Sequence, residues 1–566
     1  MADEFLINTY SAQSQGVPDI TRLADGSILV VWHSLFSEDI GRTYYLAAQR
    51  FSATGEPIGI EMVLEASFSA QANIPKVVAL PDGGFALGWI NTPGEFVSGQ
   101  SDVWTRAYDA DGTPRGKASR VHGADDNNQY GGSSAATADG GYVLTWTSYD
   151  GAEIDAWDEV YMRAFDADGR PLGPVRQVNQ QTEFDQNNSQ AITLANGNIL
   201  ITWESANAGN PPGSSVDAVR GRLYDSSGKP LTGEFMVVDE NDGMSGPGTS
   251  GPSGTVDIAP LDNGGFVISW HRTAWVDNDL HFQVRAQRHD ASGAAVGREI
   301  VLWSAESGVP GNTAVEGLDG GGFVVAWAAD GGGLAFKEVF AQVFDADGRA
   351  LGRRFIVNVP SPQYSDQETP AIQALDDGGF MIVYESEYLD GDEDAIAGRI
   401  FGQGTNAADR ETLRWTGTYR ALDGADTITG TLGADTINLG RGNDTARGRG
   451  GADILIGGLG ADRLDGGGGA DTFLYASATH STAAAPDTIL RFESGRDTID
   501  LSAIDAVPDR RGNQAFAWIG ADPFSGRAGE LRFAGGQLSA DLDGNGTADF
   551  VIKVTGDPVV AGDLLF

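Results

Sequence analysis

The feature that most constrains the fold of this chain is a long internal repeat that fills roughly the first 400 residues. Seven segments share a pattern in which Asp, Asn or Gly and then Gly precede an apolar run with an aromatic end. The runs end at Trp32, Trp89, Trp146, Trp203, Trp270, Trp327 and Tyr384. Successive ends are 57 residues apart, except for one interval of 67 that contains a Gly/Ser/Pro-rich insertion. A period of this length is typical of proteins built from repeated supersecondary units.

Each repeat has the pattern of four strands. A tight Asp-Gly or Asn-Gly turn precedes the apolar run, and a second tight turn, such as AFDADGRPLG, follows it after a longer connection. Four strands in one period are typical of a propeller blade, so the sequence predicts an all-β protein with a seven-bladed β-propeller. The apolar run carries apolar residues on both alternating faces, which indicates that each blade packs between two neighbours and that the repeated Trp is core.

The seventh repeat stops after its third strand, at Phe401. The start of the chain, EFLINTYSAQ, matches EMVLEASFSAQ, which contains the fourth strand of the first repeat. Residues 4–8 are therefore predicted to complete blade seven. Such a closure removes a free sheet edge and ties the two ends of the ring together.

A shorter repeat of nine residues follows the propeller. Its aspartates are Asp426, Asp435, Asp444, Asp453, Asp462 and Asp471, and the glycines two residues before them include Gly424, Gly433, Gly442, Gly451 and Gly460. Each unit combines a glycine-rich turn, whose carbonyls can crowd around a hard cation, with one carboxylate and a short strand. Stacked carboxylates repel each other without a cation, so we expect a parallel β-roll that folds with Ca²⁺. A flexible Gly/Asp-rich linker is the alternative, but a linker has no reason to keep the period over six units.

A separate acidic loop lies near the end of the chain, in the sequence DLDGNGTAD. Asp541, Asp543, Asn545 and Asp549 alternate with other residues, and Gly546 stands where a sharp turn is needed. Alternating oxygen ligands with such a glycine are typical of a calcium loop. The alternative is an acidic hairpin turn without a metal.

From about Leu422 to Phe566 the chain resembles the C-terminal domain of serralysin-type RTX proteins, whose repeats are hemolysin-type calcium-binding repeats. The resemblance implies Ca²⁺ as cofactor, a type I secretion signal at the extreme end, the type I secretion apparatus as partner and an extracellular location. The protease domain of serralysins is absent, and a propeller takes its place. We predict a propeller over 1–404, a linker over 405–421, the RTX β-roll over 422–478 and a β-rich secretion domain over 479–566.

Composition excludes several classes of partner. The net charge of −42 argues against nucleic acid and anionic membranes and for cations. Cysteine is absent, so a large core or metal ions must replace disulfides in an exported protein. No run of eighteen apolar residues indicates a membrane span, and the start MADEFLINTYSAQ lacks the features of a signal peptide.

The long loops on one face of the propeller are where binding is expected, since a rigid scaffold with long loops commonly carries function there. The candidate ligand-binding residues are Trp157, Trp275, Tyr149, Tyr388 and Gln186. Gln186 belongs to a set of repeated amides near the expected channel mouth, with Gln15, Gln71, Gln129 and Gln367. Aromatic rings among carboxylates and amides suit a sugar, which has apolar CH faces and hydroxyl groups. The alternative is a solvated acidic rim around an amide-lined channel.

No motif for catalysis is recognisable: HExxH, GxSxG and a cysteine nucleophile are all absent. The sequence therefore favours a secreted calcium-binding protein whose propeller binds a surface or matrix ligand such as a glycan, as an adhesin or lectin does. The competing hypothesis is a secreted hydrolase or lyase that acts on polysaccharide or phosphate esters.

Overall fold

The computed structural model describes residues 4–9, 14–38, 41–67, 72–91, 101–123, 128–149, 157–183, 185–205, 218–239, 256–276, 279–305, 310–330, 336–351, 353–358, 366–375, 379–387, 389, 394–402, 410–413, 418–421, 423–508, 510 and 512–566. These residues form seven small antiparallel sheets, followed by two sheets with mainly parallel pairing. The predicted fold class, an all-β chain with a seven-bladed propeller and a C-terminal β-roll, is confirmed.

The strands of the blades are these, from the innermost outward. Blade one has Gln15–Arg22, Ile28–Glu38, Gly41–Phe51 and Pro57–Ser67; blade two has Ala72–Ala79, Phe85–Asn91, Asp102–Tyr108 and Ser119–Arg120. Blade three has Asn128–Tyr130 with Ser134–Ala136, then Tyr142–Tyr149, Asp158–Phe165 and Arg176–Gln177; blade four has Gln186–Thr193, Ile199–Ser205, Ala218–Tyr224 and Phe235–Asp239. Blade five has Asp257–Pro260, Phe266–Val276, Asp279–His289 and Ala295–Ala305; blade six has Thr313–Gly317, Phe323–Asp330, Lys337–Phe344 and Phe355–Ile356. Blade seven has Gln367–Ala374, Phe380–Glu387, Asp394–Phe401 and Phe5–Leu6.

The tight turn before the apolar run is closed by the same pair of backbone hydrogen bonds in blades one to six. In blade one the Leu23 amide donates to the Ser27 carbonyl at 2.8 Å, and the Gly26 amide donates to the Leu23 carbonyl at 2.9 Å. Gly26 has a φ of 82°, which glycine adopts without steric cost. The glycine of the repeated motif is therefore required by the turn that joins the first two strands.

Seven apolar clusters lie between the blades, one for each pair of neighbours. The cluster between blades one and seven contains Trp32 and Val383, and the cluster between blades three and four contains Val143 and Trp203. The other five pairs of adjacent blades share clusters in the same way. All seven aromatic residues that end the apolar runs are buried, with at most 6% of their surface exposed. The prediction that the repeated Trp is core is confirmed.

The first strand of the chain is the outermost strand of blade seven. Phe5 pairs with Gly398, Leu6 pairs with Ala397, and both pairs are antiparallel. Ile7 is buried in the cluster between blades one and seven. The Ile396 amide donates to Asn8 Oδ1 at 2.8 Å. Asn179 of blade three and Asn358 of blade six accept an amide in the same manner. Residues 5–8 thus stand where a fourth strand stands in the other blades.

The C-terminal body is a roll of two sheets. The nine-stranded sheet has the order Arg410–Thr412, Thr427–Thr429, Thr445–Gly450, Arg463–Gly468, Asp487–Phe492, Phe550–Gly556, Gln537–Asp541, Glu530–Ala534 and Ala517–Trp518. The six-stranded sheet has the order Thr418–Arg420, Thr436–Asn438, Ile454–Ile456, Thr472–Leu474, Thr498–Asp500 and Leu564–Leu565. Among the described residues the chain also forms three short 3₁₀ turns, Asp319–Gly321, Ala478–His480 and Ala561–Asp563.

The boundaries of this body differ from the sequence prediction. Arg410–Thr412 and Thr418–Arg420, which lie in the predicted linker 405–421, already pair with strands of the roll. The predicted division between 478 and 479 does not separate two cores, since one apolar cluster runs from Tyr419 to Leu564. The physical reason is that both sheets continue into the last residues of the chain, so the aspartate period ends before the fold does.

Candidate functional site

The aspartates of the nine-residue repeat form two ladders inside the roll. Each carboxylate accepts a hydrogen bond from the amide of the aspartate one full coil earlier: Asp426 donates to Asp444 Oδ1 at 2.8 Å, and Asp444 donates to Asp462 Oδ1 at 2.9 Å. On the other sheet Asp435 donates to Asp453 in the same way, at 2.8 Å. All six predicted aspartates are at most 1% exposed. The two sheets therefore bury one row of carboxylates each.

In four of these carboxylates, the second oxygen accepts no hydrogen bond. Oδ2 of Asp444, Asp453, Asp462 and Asp471 is buried and accepts no hydrogen bond within the described part of the chain. A buried charge without a partner is costly, and a carboxylate in this situation favours its neutral form. Burial raises the pKa of Asp444 and of Asp453 to about 6. Burial and the nearby Asp487 carboxylate raise the pKa of Asp462 to about 8.

The leftover oxygens point at the glycine-rich turns. A Cβ atom placed on Gly448 would lie 2.1 Å from Asp453 Oδ2, and one on Gly466 would lie 2.2 Å from Asp471 Oδ2. These glycines precede their aspartates by five residues, and sequence reasoning did not single them out. A space that only glycine leaves open, next to an unpartnered carboxylate oxygen, fits a hard cation with oxygen ligands.

The predicted glycines allow the turns to stack closely. A Cβ on Gly442 would lie 1.6 Å from the carbonyl oxygen of Gly424, and a Cβ on Gly460 would lie 1.4 Å from that of Gly442. On the other sheet a Cβ on Gly451 would lie 2.4 Å from the carbonyl oxygen of Gly433. Successive turns therefore bring backbone carbonyl oxygens into register along the roll, which supplies further neutral oxygen ligands.

Two further aspartates extend the ladders. The Asp462 amide donates to Asp487 Oδ1 at 2.9 Å, and the Asp471 amide donates to Asp497 Oδ1 at 3.1 Å. Both lie beyond the strict period, because the intervals are 25 and 26 residues instead of 18. The local sequence DTI, shared by residues 426–428 and both new positions, could have revealed them.

The acidic loop near the C-terminus joins the strands Gln537–Asp541 and Phe550–Gly556. Asp541, Asp543 and Asp549 bring one carboxylate oxygen each to within 4.8 Å of one another. Asp541 is fully buried and accepts the amides of Gly544 and Gly546, at 2.8 Å each. Asn545 Nδ2 instead donates to Asp543 Oδ2 at 2.8 Å. The three carboxylates fit one divalent cation, with the Asn545 side chain bound to one of them.

On the propeller, the prediction that Gln186 contacts a ligand is wrong. Gln186 is fully buried, and its Oε1 accepts the indole N–H of Trp203 at 2.9 Å. Gln15 does the same for Trp32 at 3.0 Å. Gln129 and Gln367 are buried too, and Gln71 lies outside the described residues. The repeated amide therefore serves the core, because a buried indole N–H needs an acceptor.

The aromatic candidates stay predictions, and the structure gives their positions. Tyr149 is 43% exposed at the end of its strand, where it pairs with Asp158. Trp157, the residue just before the neighbouring strand, is partly buried, so both residues lie at one end of blade three. Trp275 pairs with Leu280 near the end of its hairpin. Tyr388 lies outside the described residues.

The sequence comparisons with known proteins match the C-terminal body. A family model described as Peptidase M10 serralysin C terminal matches residues 427–566. Metalloprotease AprA of Pseudomonas entomophila (strain L48) is 41% identical over 95 residues, which cover 16% of this chain and 19% of the relative. Serralysin C of Dickeya chrysanthemi is 38% identical over 100 residues, which cover 17% of this chain and 19% of the relative. The chain thus spans about a fifth of the length of these relatives, and the predicted resemblance to serralysin C-terminal domains is confirmed for this region.

Among solved structures, a protein of unknown function from Dyadobacter fermentans DSM 18053 aligns with 70% of this chain and 97% of its own length. The TM-score is 0.42 and the sequence identity is 13%, values that carry no conclusion about a ligand. Within the described ranges, no helix has the length and apolar character of a membrane span.

Proposed function

We propose that this chain is an exported protein whose C-terminal body folds around Ca²⁺ and whose propeller binds a carbohydrate. The observation that carries the proposal is the pair of aspartate ladders, in which the Oδ2 atoms of Asp444, Asp453, Asp462 and Asp471 are buried and accept no hydrogen bond within the described residues. The division we propose runs between a propeller, up to about residue 404, and a calcium-binding and export unit that begins at Arg410.

Calcium explains why the ladders are tolerated. Every rung places carboxylates in register with the next coil, where like charges disfavour ionisation. A divalent cation between coils converts this repulsion into attraction and uses the oxygens that no donor reaches. Carbonyl oxygens from the stacked turns complete an all-oxygen shell of the kind that Ca²⁺ prefers. The Asp541 loop is a second candidate of the same chemistry.

A calcium titration of the full chain tests this proposal. Isothermal titration calorimetry is carried out on the native chain, Asp453→Asn, Asp462→Asn and Asp423→Asn. Asp423 is exposed and lies in the same roll, so it serves as the control. We expect the two ladder variants to lose sites or at least about tenfold in affinity, since each removes a charged ligand. Unchanged titrations for both ladder variants would reject the metal assignment.

Export through a type I apparatus is proposed from the similarity of residues 427–566 to serralysin C-terminal regions. In a host with such an apparatus, we expect the full chain in the medium and a chain that lacks its last fifty or so residues in the cytoplasm. A chain without the propeller should still be exported. Secretion of the shortened form would contradict this part of the proposal.

Carbohydrate binding is proposed for the end of blade three. Tyr149 presents an exposed ring, and Trp157 immediately precedes Asp158, the residue that pairs with Tyr149. A glycan array in the presence of Ca²⁺ tests the proposal, with Tyr149→Ala and Trp157→Ala as variants. Each lost stacking contact should cost about 0.5–1.5 kcal/mol of binding, the range for aromatic contacts. Tyr161→Ala is a matched control, because this ring stacks on Trp146 inside the same blade at 6.1 Å. An array without hits would reject carbohydrate binding.

A hydrolase or lyase is the second candidate, and one feature favours it. Glu385 lies at the long-loop end of blade seven, where its Oε2 accepts the Val17 amide at 3.2 Å. Burial raises the pKa of Glu385 to about 7, a value suited to a general acid near neutral pH. A panel of chromogenic glycosides and unsaturated-product assays, with Glu385→Gln as the variant, tests it. Turnover that Glu385→Gln abolishes would support the enzyme; no turnover on any substrate would reject it.

A further inference from the structure

A cavity of about 370 Å³ follows the axis of the propeller. Residues from the inner end of all seven blades line it, among them Ile20, Ile74, Gln190, Asp257 and Ile372. A volume of this size lies within the usual range for small-molecule sites, roughly 300–1,000 Å³. This cavity, named the axial cavity, is therefore large enough for a small ligand.

The blades shape the axial cavity with a repeated bulge. Val17, Ile74, Asn188 and Thr369 have φ values of 48°, 56°, 50° and 46°, and all four line the cavity. The strand register shifts at each of these positions. Positive φ is unfavourable for β-branched residues such as Val17, Ile74 and Thr369, so blades one, two and seven sustain this strain. The bulge turns the inner strands toward the axis and sets which side chains face the cavity.

The residue two positions after the bulge residue differs in charge from blade to blade. The equivalent residues in the seven blades are Asp19, Lys76, Ser133, Gln190, Asp257, Ala314 and Ala371. Lys76 Nζ lies 3.7 Å from Asp19 Oδ1, so these two charges offset each other. Asp257, further around the ring, makes no ion pair among the described residues, and neither does Glu316 of the next blade. The side of blades five and six thus brings to the axial cavity two carboxyl groups whose pKa values burial raises to about 6 for Asp257 and about 7 for Glu316, so a cation placed between them would stabilise their charged forms.

Both carboxylates also join neighbouring blades. Asp257 Oδ2 accepts the Val315 amide at 2.8 Å, and Glu316 Oε1 accepts the Ala374 amide at 3.2 Å. In blade one the hydroxyl of Thr21, at the position of Glu316, accepts the Ala79 amide at 3.3 Å, whereas Asp19, at the position of Asp257, accepts the Val77 amide at 2.8 Å. A neutral acceptor therefore suffices at the position of Glu316, so the contact with the next blade does not account for the charge of that side chain.

The remaining wall is polar on one side and apolar on the other. The side-chain amides of Gln190 and Asn312 line the axial cavity and make no hydrogen bond within the described residues. Both are partly exposed, so solvent reaches them. On the blade-seven side the wall consists of Thr369, Pro370, Ala371 and Ile372, and apolar side chains such as Ile20 and Ile74 line it on other blades. A ligand that combines hydroxyl groups with an apolar CH face matches such a wall.

We propose that the axial cavity binds a small polyhydroxylated primary amine, such as the free amino sugar of a glycan, with its ammonium group between Asp257 and Glu316. The amides of Gln190 and Asn312 bind the hydroxyl groups, and the CH face packs against Pro370 and Ile372. This inference rests on the proposed carbohydrate binding and names its chemical class and its place on the axis.

Calorimetry on the calcium-loaded full chain tests the inference with three probes: glucosamine oligomers of one to four units, the matching N-acetylglucosamine oligomers, and glucose. Acetylation removes the positive charge and keeps the hydroxyl groups. We expect the glucosamine series to bind at least about tenfold more tightly than the other two, because only its ammonium group can donate charge-assisted hydrogen bonds to the two carboxylates.

Three variants locate the site. Asp257→Asn and Glu316→Gln keep an acceptor for the neighbouring amide and remove the charge, and we expect each to weaken glucosamine binding at least about tenfold. Asp262→Asn is the matched control: Asp262 Oδ2 accepts the Gly320 amide of the next blade at 2.8 Å, but Asp262 is exposed and does not line the cavity. We expect this control to bind as the native chain does.

The outcomes separate this inference from the proposed function. No preference for glucosamine, or binding that neither Asp257→Asn nor Glu316→Gln weakens, overturns the axial site. Neutral glycans that bind on the array and lose affinity in Trp157→Ala would keep the proposed function and still overturn this inference. Equal losses in the Asp262→Asn control would show a general charge effect and would also overturn it.

Discussion

The propeller and the roll are both built from repeats, but they are held together by opposite kinds of contact. In the propeller, adjacent repeats share apolar clusters, and the last cluster joins blade seven to blade one. In the roll, adjacent coils share an apolar interior and, along its margins, rows of buried carboxylates. The propeller's repeats are thus joined by apolar contacts, whereas we propose that the roll's repeats also need a cation between their buried carboxylates.

Removal of calcium should give the largest difference between the two regions. In excess chelator we expect residues 410–566 to unfold and the propeller to remain folded, since only the roll depends on the ion. Hydrogen exchange followed by mass spectrometry checks this for each region separately. Full protection of the roll in chelator, or loss of protection in both regions together, would contradict the comparison.

The pH dependence of the calcium-free roll should be the next largest effect. Folding raises the pKa of Asp462 to about 8 and the pKa values of Asp444 and Asp453 to about 6, above the 3.8 of an unfolded chain. A raised pKa contributes stability that is complete below about pH 4 and is lost as the pH rises from 4 to 8. In chelator the roll should therefore be folded near pH 4 and unfolded near pH 8, as measured by hydrogen exchange at matched chemical exchange rates.

Calcium should invert that profile, because the ion competes with protons for the same oxygens. With Ca²⁺ present we expect the roll to be most stable near neutral pH and to weaken in acid. A calcium-free roll that is less stable at pH 4 than at pH 8 would contradict the burial of unpartnered carboxylates.

A third prediction concerns the apolar contacts of the propeller. Trp203 is 1% exposed, and Trp203→Ala should cost about 3–5 kcal/mol of the free energy of unfolding, the usual range for a buried aromatic residue. Denaturant unfolding of the propeller measures this, and the calcium affinity of the roll should not change. Trp157→Ala, at the partly buried position, serves as the comparison and should cost much less. Equal costs would make the end of blade three structural.

The smallest of these effects should come from the strand that closes the ring. Ile7 is 1% exposed, whereas its neighbour Leu6 is 38% exposed. We expect Ile7→Ala to cost about 2 kcal/mol or more and Leu6→Ala well under 1 kcal/mol, since only the first leaves a cavity. Thermal unfolding of the two variants checks this difference. Similar costs for both would mean that the first strand adds little to blade seven.

The sequence predicted the fold well because each blade repeats the same short pattern of turn glycines and apolar strand residues. The turn before Trp32 and the match between residues 4–8 and an internal strand both follow from short-range patterns. Gln186 was misjudged for a physical reason: a repeated amide can serve a ligand or an indole, and only the packing reveals that it faces Trp203. Asp487 was missed because an insertion lengthens its coil while leaving its ladder position intact. The axial carboxylates Asp257 and Glu316 come together only through the ring, and no local pattern links them.

The closing strand also has a consequence for the order of events during synthesis. The amide of Ile396 and the side chain of Asn8 that accepts it are 388 residues apart. Contacts between residues so far apart in the chain form late, because closing the long loop costs entropy before the contact can stabilise the fold. Residues 5–8 leave the ribosome before the seven blades and lack their partner strand until blade seven has been made. The ring therefore stays open while successive blades are made. The emerging chain needs protection from aggregation until residues 5–8 pair with blade seven.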